Sequence, residues 1–138
     1  MNHATPSSGD MFAEAVHITL RALPIAGLPL GLASDIAYAQ TSNLLWLHFS
    51  EWLLLAAAIG TGLSLLVTAI HRLLRGVRPS WPAILMGVVV FALTLLNNLV
   101  HTRDGWTAVV PQGLALSAAS VAALVVTAWL GRKGYRHA

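Results

Sequence analysis

An all-α integral membrane four-helix bundle, with both termini cytoplasmic, is the fold class that this 138-residue chain predicts. Three observations carry it. The first is the run Gly105–Gly131, 27 consecutive positions without Asp, Glu, Lys, Arg or His. A bilayer core of about 30 Å needs roughly 20 helical residues, so this run crosses it with length to spare. The second is composition: 9% charged and 57% hydrophobic residues, with a mean hydropathy of +0.71, suit lipid rather than a water-facing surface. The third is charge placement, taken up once the spans are drawn.

Residues 1–10 are small, polar and rich in Pro, Gly and Ser, and read as a flexible tail. Residues 11–138 then read as a single four-span domain. Asp10, Glu14, His17 and Arg21 recur at helical steps on one face of an amphipathic lead-in. The 13 uncharged residues Ala22–Ser34 are too short to span alone, so the first crossing borrows from both flanks, over about 18–38. Arg21 snorkels to the headgroups. Pro24 and Pro29 predict kinks, and Gly27-xxx-Gly31 admits a neighbouring helix closely. Arg21, this apolar run and Ala37-Tyr38-Ala39 also have the form of a cleaved signal peptide. The length of such a leader and its acidic residues favour a retained span.

The turn Gln40-Thr41-Ser42-Asn43 leads to a second span over about 46–70, in which Ala57, Gly60, Thr61 and Ser64 form a small-residue stripe. His71–Ser80 reads as a short basic loop with Arg72, Arg75 and Arg78. The third span is about 81–100, with Pro82 in its first turn and Asn97-Asn98 near its far end. The turn from His101 to Gly105 leads to the fourth span, about 108–130, with Pro111 in its first turn and Gly113, Ser117, Ala119, Ser120 and Ala123 as a packing surface. Four crossings then gather Arg21, Arg72, Arg75, Arg78, Arg132, Lys133 and Arg136 on one side, seven of the eight basic residues. The positive-inside rule places that side, and both termini, in the cytoplasm. Tyr38, Trp46, Trp52 and Trp106 fall toward the outer interface, and Trp81, Trp129 and Tyr135 toward the inner one. The basic residues follow the topology, so nucleic acid is excluded as a partner despite the pI near 10.2.

The chain resembles a family of predicted bacterial inner-membrane proteins, domain-of-unknown-function family 2231. The resemblance rests on Leu23-Pro24-Ile25-Ala26, on Ala33-Ser34-Asp35-Ile36-Ala37-Tyr38, on Asn97-Asn98-Leu99-Val100-His101-Thr102-Arg103-Asp104-Gly105-Trp106, and on Val110-Pro111-Gln112-Gly113-Leu114-Ala115-Leu116-Ser117. Thr127-Ala128-Trp129-Leu130-Gly131 with Tyr135-Arg136-His137 is similar to the family's closing motif. Only His17 stands where the family often has His-Pro pairs, and Pro82-Ala83 replaces a His after the Trp that opens the third span. The glycine-valine tail that the family carries after Tyr-Arg-His does not follow here. The resemblance implies four helices in a bacterial inner membrane and transfers no catalytic residues.

With no Cys, disulfides, thiolate metal sites and thiol catalysis are excluded. No catalytic constellation is recognisable, and the chain reads as no enzyme. His17 with His71 at the inner boundary, and His48 with His101 at the outer, are the residues that would clamp b-type haem if the protein were a cytochrome passing electrons from quinone to a partner. Because His48 and His71 are 23 residues apart, about 34 Å along a helix, both rings lie at headgroup level, which favours interfacial His and no cofactor. A metal site from His48, Glu51, His101 and Asp104 lacks a further strong ligand, and none is assigned. The possible polar functional cluster is Glu14, His17, Arg21, Glu51, Asn97, Arg103 and Asp104, with one of Asn97 and Asn98 bonding between helices and the other meeting the outer interface. Small-residue stripes exceed what one thin bundle needs. The leading expectation is therefore a non-catalytic accessory or scaffold subunit, partnered in the bilayer by another membrane protein or by itself. A proton- or solute-conducting oligomer is the remaining alternative.

Overall fold

The computed structural model describes residues 8–75, 81–103 and 109–135. All four predicted helices are there: α1 is Ser8–Thr41, α2 is Leu44–Arg75, α3 is Trp81–His101, and α4 is Leu114–Tyr135, approached through a wide-turned segment Val109–Gly113. Each of the four elements is long and apolar enough to cross a bilayer. The chain is an integral membrane four-helix protein.

The boundaries differ from the sequence reading at α1 and α2, which hold 34 and 32 residues. At 1.5 Å per residue these are about 50 Å long, more than the hydrocarbon core requires, so both helices run on past it. Helix α1 starts at Ser8, inside the segment read as a flexible tail, and residues 1–7 lie outside the described residues. It also continues through Pro24 and Pro29. The α1–α2 connection is only Ser42-Asn43. Ser42 takes a left-handed conformation (φ 52°) after its N–H bonds Tyr38 O, and Asn43 caps α2 by accepting from the Leu45 N–H at 3.0 Å. Before α4, Val110 is extended (φ −117°, ψ 123°), as a residue preceding proline prefers, and Val110–Pro111 is cis.

Helix α1 packs on α2 and α4, and α3 packs on the same two, closing a ring. The α1–α2 contact is the closest, and two glycines explain why. A Cβ at Gly27 would lie 2.9 Å from Leu53 O, and one at Gly60 would lie 2.6 Å from Leu23 Cβ and 2.8 Å from Leu20 O. Lipid is as apolar as leucine, so helices associate through such close backbone approach rather than through hydrophobic exclusion.

The burial pattern is inverted relative to a soluble bundle. Phe12, Trp52, Leu73 and Leu74 face outward, each more than 70% exposed. Among the described residues, the buried set holds as many polar side chains as apolar ones. An apolar layer of Leu28, Leu54, Ala57, Val90 and Ala123 fills the middle of the bundle. A second one, Tyr38, Leu47 and Val109, closes the end where α1 turns into α2. Tyr38 is therefore turned inward and 5% exposed, whereas Trp46 and Trp52 face outward. Between these two layers lies a polar one.

Adding a methyl at Gly60 is expected to lower stability by about 1–3 kcal/mol through overpacking. Gly131→Ala, where no atom lies within 4 Å, should leave it unchanged. Denaturant unfolding of both variants in detergent checks this.

Candidate functional site: a buried carboxyl layer

Helix α1 brings Asp35 to the bundle axis with no exposed surface. It lies one helical turn below Tyr38 and seven residues above Leu28, on the face that meets the other helices. A carboxyl group buried in the membrane is costly unless every oxygen finds a partner, and here three helices supply them. From α2, the Ser50 hydroxyl lies 2.6 Å from Oδ1. From α3, His101 Nε2 lies 2.9 Å from the same oxygen. From α4, Ser117 Oγ is hydrogen-bonded to Oδ2. All four side chains are at most 1% exposed.

Further bonds hold the layer in place. His101 Nδ1 is 2.9 Å from the backbone oxygen of Asn97, one turn back on α3, which fixes the imidazole plane. The Asn97 amide is 2.7 Å from Ser117 Oγ. With its nitrogen toward Gly113 O, at 3.1 Å, and its oxygen toward the Ser117 N–H, at 3.3 Å, it also matches two backbone groups at the start of α4 and just before it. Asn98 donates to Glu51 O at 3.1 Å, tying α3 to α2, and Ser34 donates to Trp46 O at 2.9 Å, tying α1 to α2. Both asparagines thus bond between helices, one more than the sequence reading assigned to that role.

The other sequence-predicted site residues are distributed elsewhere. His48 is exposed and lies 3.2 Å from Glu51 on its own helix, with His101 committed to Asp35. The outer pair of histidines proposed for haem is therefore not brought together. At the opposite end of α1 and α2, His17 and His71 do meet, with ring centroids 6.1 Å apart and planes 18° apart. Glu14 and Arg21 flank His17 in sequence and are exposed. Arg103 is exposed in the turn after α3, and Asp104 lies outside the described residues. The predicted polar cluster is thus split between the two ends of the bundle. Among the described residues no group of three His, Asp or Glu is placed to hold a metal.

Asp35, Ser50 and Ser117 were absent from the predicted site. Asp35 had a legible signal, being, like Glu51, an acidic residue inside a spanning helix, where a carboxyl group calls for a partner. The serines had none, since small residues on spanning helices read equally well as packing surface. Serine, histidine and aspartate recur here without a hydrolytic arrangement. Both hydroxyls bond the carboxyl group instead of the imidazole, so neither serine is set for activation by His101.

A four-span integral membrane protein with a sealed polar layer is the class that this geometry defines. The chain belongs to the family of predicted membrane proteins DUF2231, which it matches over residues 13–138. No curated protein and no solved structure matches it.

Removing one partner of the buried pair leaves the other's hydrogen-bonding atom unsatisfied, so Asp35→Ala and His101→Ala should each cost about 1–3 kcal/mol. The double variant should cost clearly less than their sum. A double-mutant cycle on unfolding in detergent measures the coupling. Additive costs would mean that the two side chains do not act as a pair.

Proposed function

We propose that the protein is a non-catalytic accessory or scaffold module of the bacterial inner membrane, both termini cytoplasmic, that receives a partner helix along α4. The observation that carries this is the two-sided character of α4. Its inward side buries Ser117, Ser120 and Ala123, while Ala115, Ala118, Ala119 and Ala122 are exposed. A lipid-facing surface gains little from alanine over leucine or valine. Alanines at spacings of four let another backbone come close. The clustered basic residues support the orientation, and Arg72 lies over the Trp81 ring at 5.6 Å at the basic end.

Because the chain has no native Cys, single cysteines report contacts cleanly. Ala118→Cys and Ala122→Cys, each carrying a thiol-linked photocrosslinker, should crosslink to a second copy or to one defined partner on illumination in native membranes, and Val88→Cys on the exposed side of α3 should not. Equal, background crosslinking at all three sites would defeat the scaffold reading.

A second reading, a b-type cytochrome, draws on His17 and His71, whose rings stack with centroids 6.1 Å apart and planes 18° apart. Imidazole lone pairs lie in the ring plane, so both rings would have to turn end-on to hold an iron between them. Their place on the two longest helices, at the end far from Asp35, would put the haem near the basic interface. On this reading, protein expressed with ample haem shows a Soret band that His17→Ala abolishes. A featureless spectrum removes it.

A further inference from the structure

Asn97 decides where the hydrogens of the polar layer lie. Two backbone groups that cannot turn, one just before α4 and one within it, set its amide: Gly113 O is 3.1 Å from Nδ2 and the Ser117 N–H is 3.3 Å from Oδ1. The reversed amide would place oxygen against oxygen and N–H against N–H, so this orientation is the one that the backbone selects. In it, Asn97 Oδ1 also lies 2.7 Å from Ser117 Oγ. An amide oxygen has no hydrogen to give, so the single hydroxyl hydrogen of Ser117 lies on that contact. Ser117 Oγ is hydrogen-bonded on its other side to Asp35 Oδ2. With the serine hydrogen already committed, the hydrogen of this bond belongs to the carboxyl group.

We propose that Asp35 is a proton-binding site, holding its proton on Oδ2 in the folded protein and donating it to Ser117. The remaining oxygen, Oδ1, accepts from Ser50 at 2.6 Å and from His101 Nε2 at 2.9 Å. The result is a directed chain across three helices, from the Asp35 acid to the Ser117 hydroxyl to the Asn97 carbonyl. A neutral acid is also far cheaper to hold in this low-dielectric layer than a carboxylate. His101 Nδ1 faces the Asn97 backbone oxygen at 2.9 Å and, in this orientation, the amide nitrogen at 3.2 Å, so it can keep or lose a hydrogen in place.

Loss of the proton would reverse the chain. The carboxylate would claim the Ser117 hydrogen, and Ser117 would then need a donor from Asn97. Only a turned amide supplies one, at the expense of its match to the Gly113 and Ser117 backbone. Proton release from Asp35 is thus coupled to the α3–α4 contact where α4 begins. The titratable groups around the layer are Tyr38 on α1, Glu51 on α2 and His101 on α3. Described α4 residues to Gly131 add none. Tyr38, Leu47 and Val109 cover the site on the loop side.

Isotope-edited infrared spectroscopy of the protein in lipid vesicles at neutral pH tests the proposal. With 13C-carboxyl aspartate, the expected result is a protonated-acid carbonyl band that moves with the label and on deuteration. It should vanish in Asp35→Asn, and it should shift but persist in Ser117→Ala, which removes the acceptor. The proposal is overturned if Asp35→Asn removes only carboxylate bands, or if Ser117→Ala leaves the acid band in place. Should Asp35→Asn fail to fold, the Asp10→Asn/Asp104→Asn variant leaves Asp35 as the sole labelled aspartate and gives the same reading. An acid band there supports the site, and carboxylate bands alone refute it.

Discussion

The hydrogen bonds around the Asp35 carboxyl group are the constraint on which the arrangement of the four helices depends. In lipid there is no water to solvate a stranded oxygen, so the group tolerates only a geometry in which each neighbour delivers its own donor or acceptor. Ser50, His101 and Ser117 come from three different helices. Moving any one helix by a turn would take its contribution out of reach. Close packing at Gly27 and Gly60 brings α1 onto α2, but packing alone leaves register and rotation open. The polar layer fixes both.

This explains the layered interior. Above the polar residues sit Tyr38, Leu47 and Val109, and below them Leu28, Leu54, Ala57, Val90 and Ala123. Apolar layers on either side keep the hydrogen bonds in a low-dielectric setting, where each is stronger and where an unmade one is more costly. The interior is thus specified by polar complementarity and the exterior by solubility in hydrocarbon. The exposed alanines of α4 stand apart from both patterns, and the functional proposal rests on them.

Part of this was readable from the residues. Uncharged runs such as Trp52–Ile70 and Gly105–Gly131 mark their spans through length and desolvation cost alone. Gly27-xxx-Gly31 marked a packing face for the same kind of local reason, and the pair Asn97-Asn98 pointed to a bond between helices without saying which of the two makes it. The ends of α1 and α2 were less visible, because past the headgroups a helix is limited by capping and not by hydropathy. Asn43 and the left-handed Ser42 end that uncertainty only at one side. The inward packing of Tyr38 was not legible, because an aromatic near a span end can face either the headgroups or the neighbouring helices.

What the sequence determined by itself is that the chain lives in a membrane and crosses it four times, since length, apolarity and the positions of the arginines are one-dimensional properties. Which polar residues meet was left to the tertiary structure. Asp35 and His101 are 66 residues apart, and Asp35 and Ser117 are 82 apart. Their meeting requires the ring order of the helices and the rotation of each about its axis. His48 and Glu51, by contrast, met as their spacing of three foretold. Neighbours on one helix are set by its pitch, whereas neighbours across helices exist only once the bundle has closed around the carboxyl group.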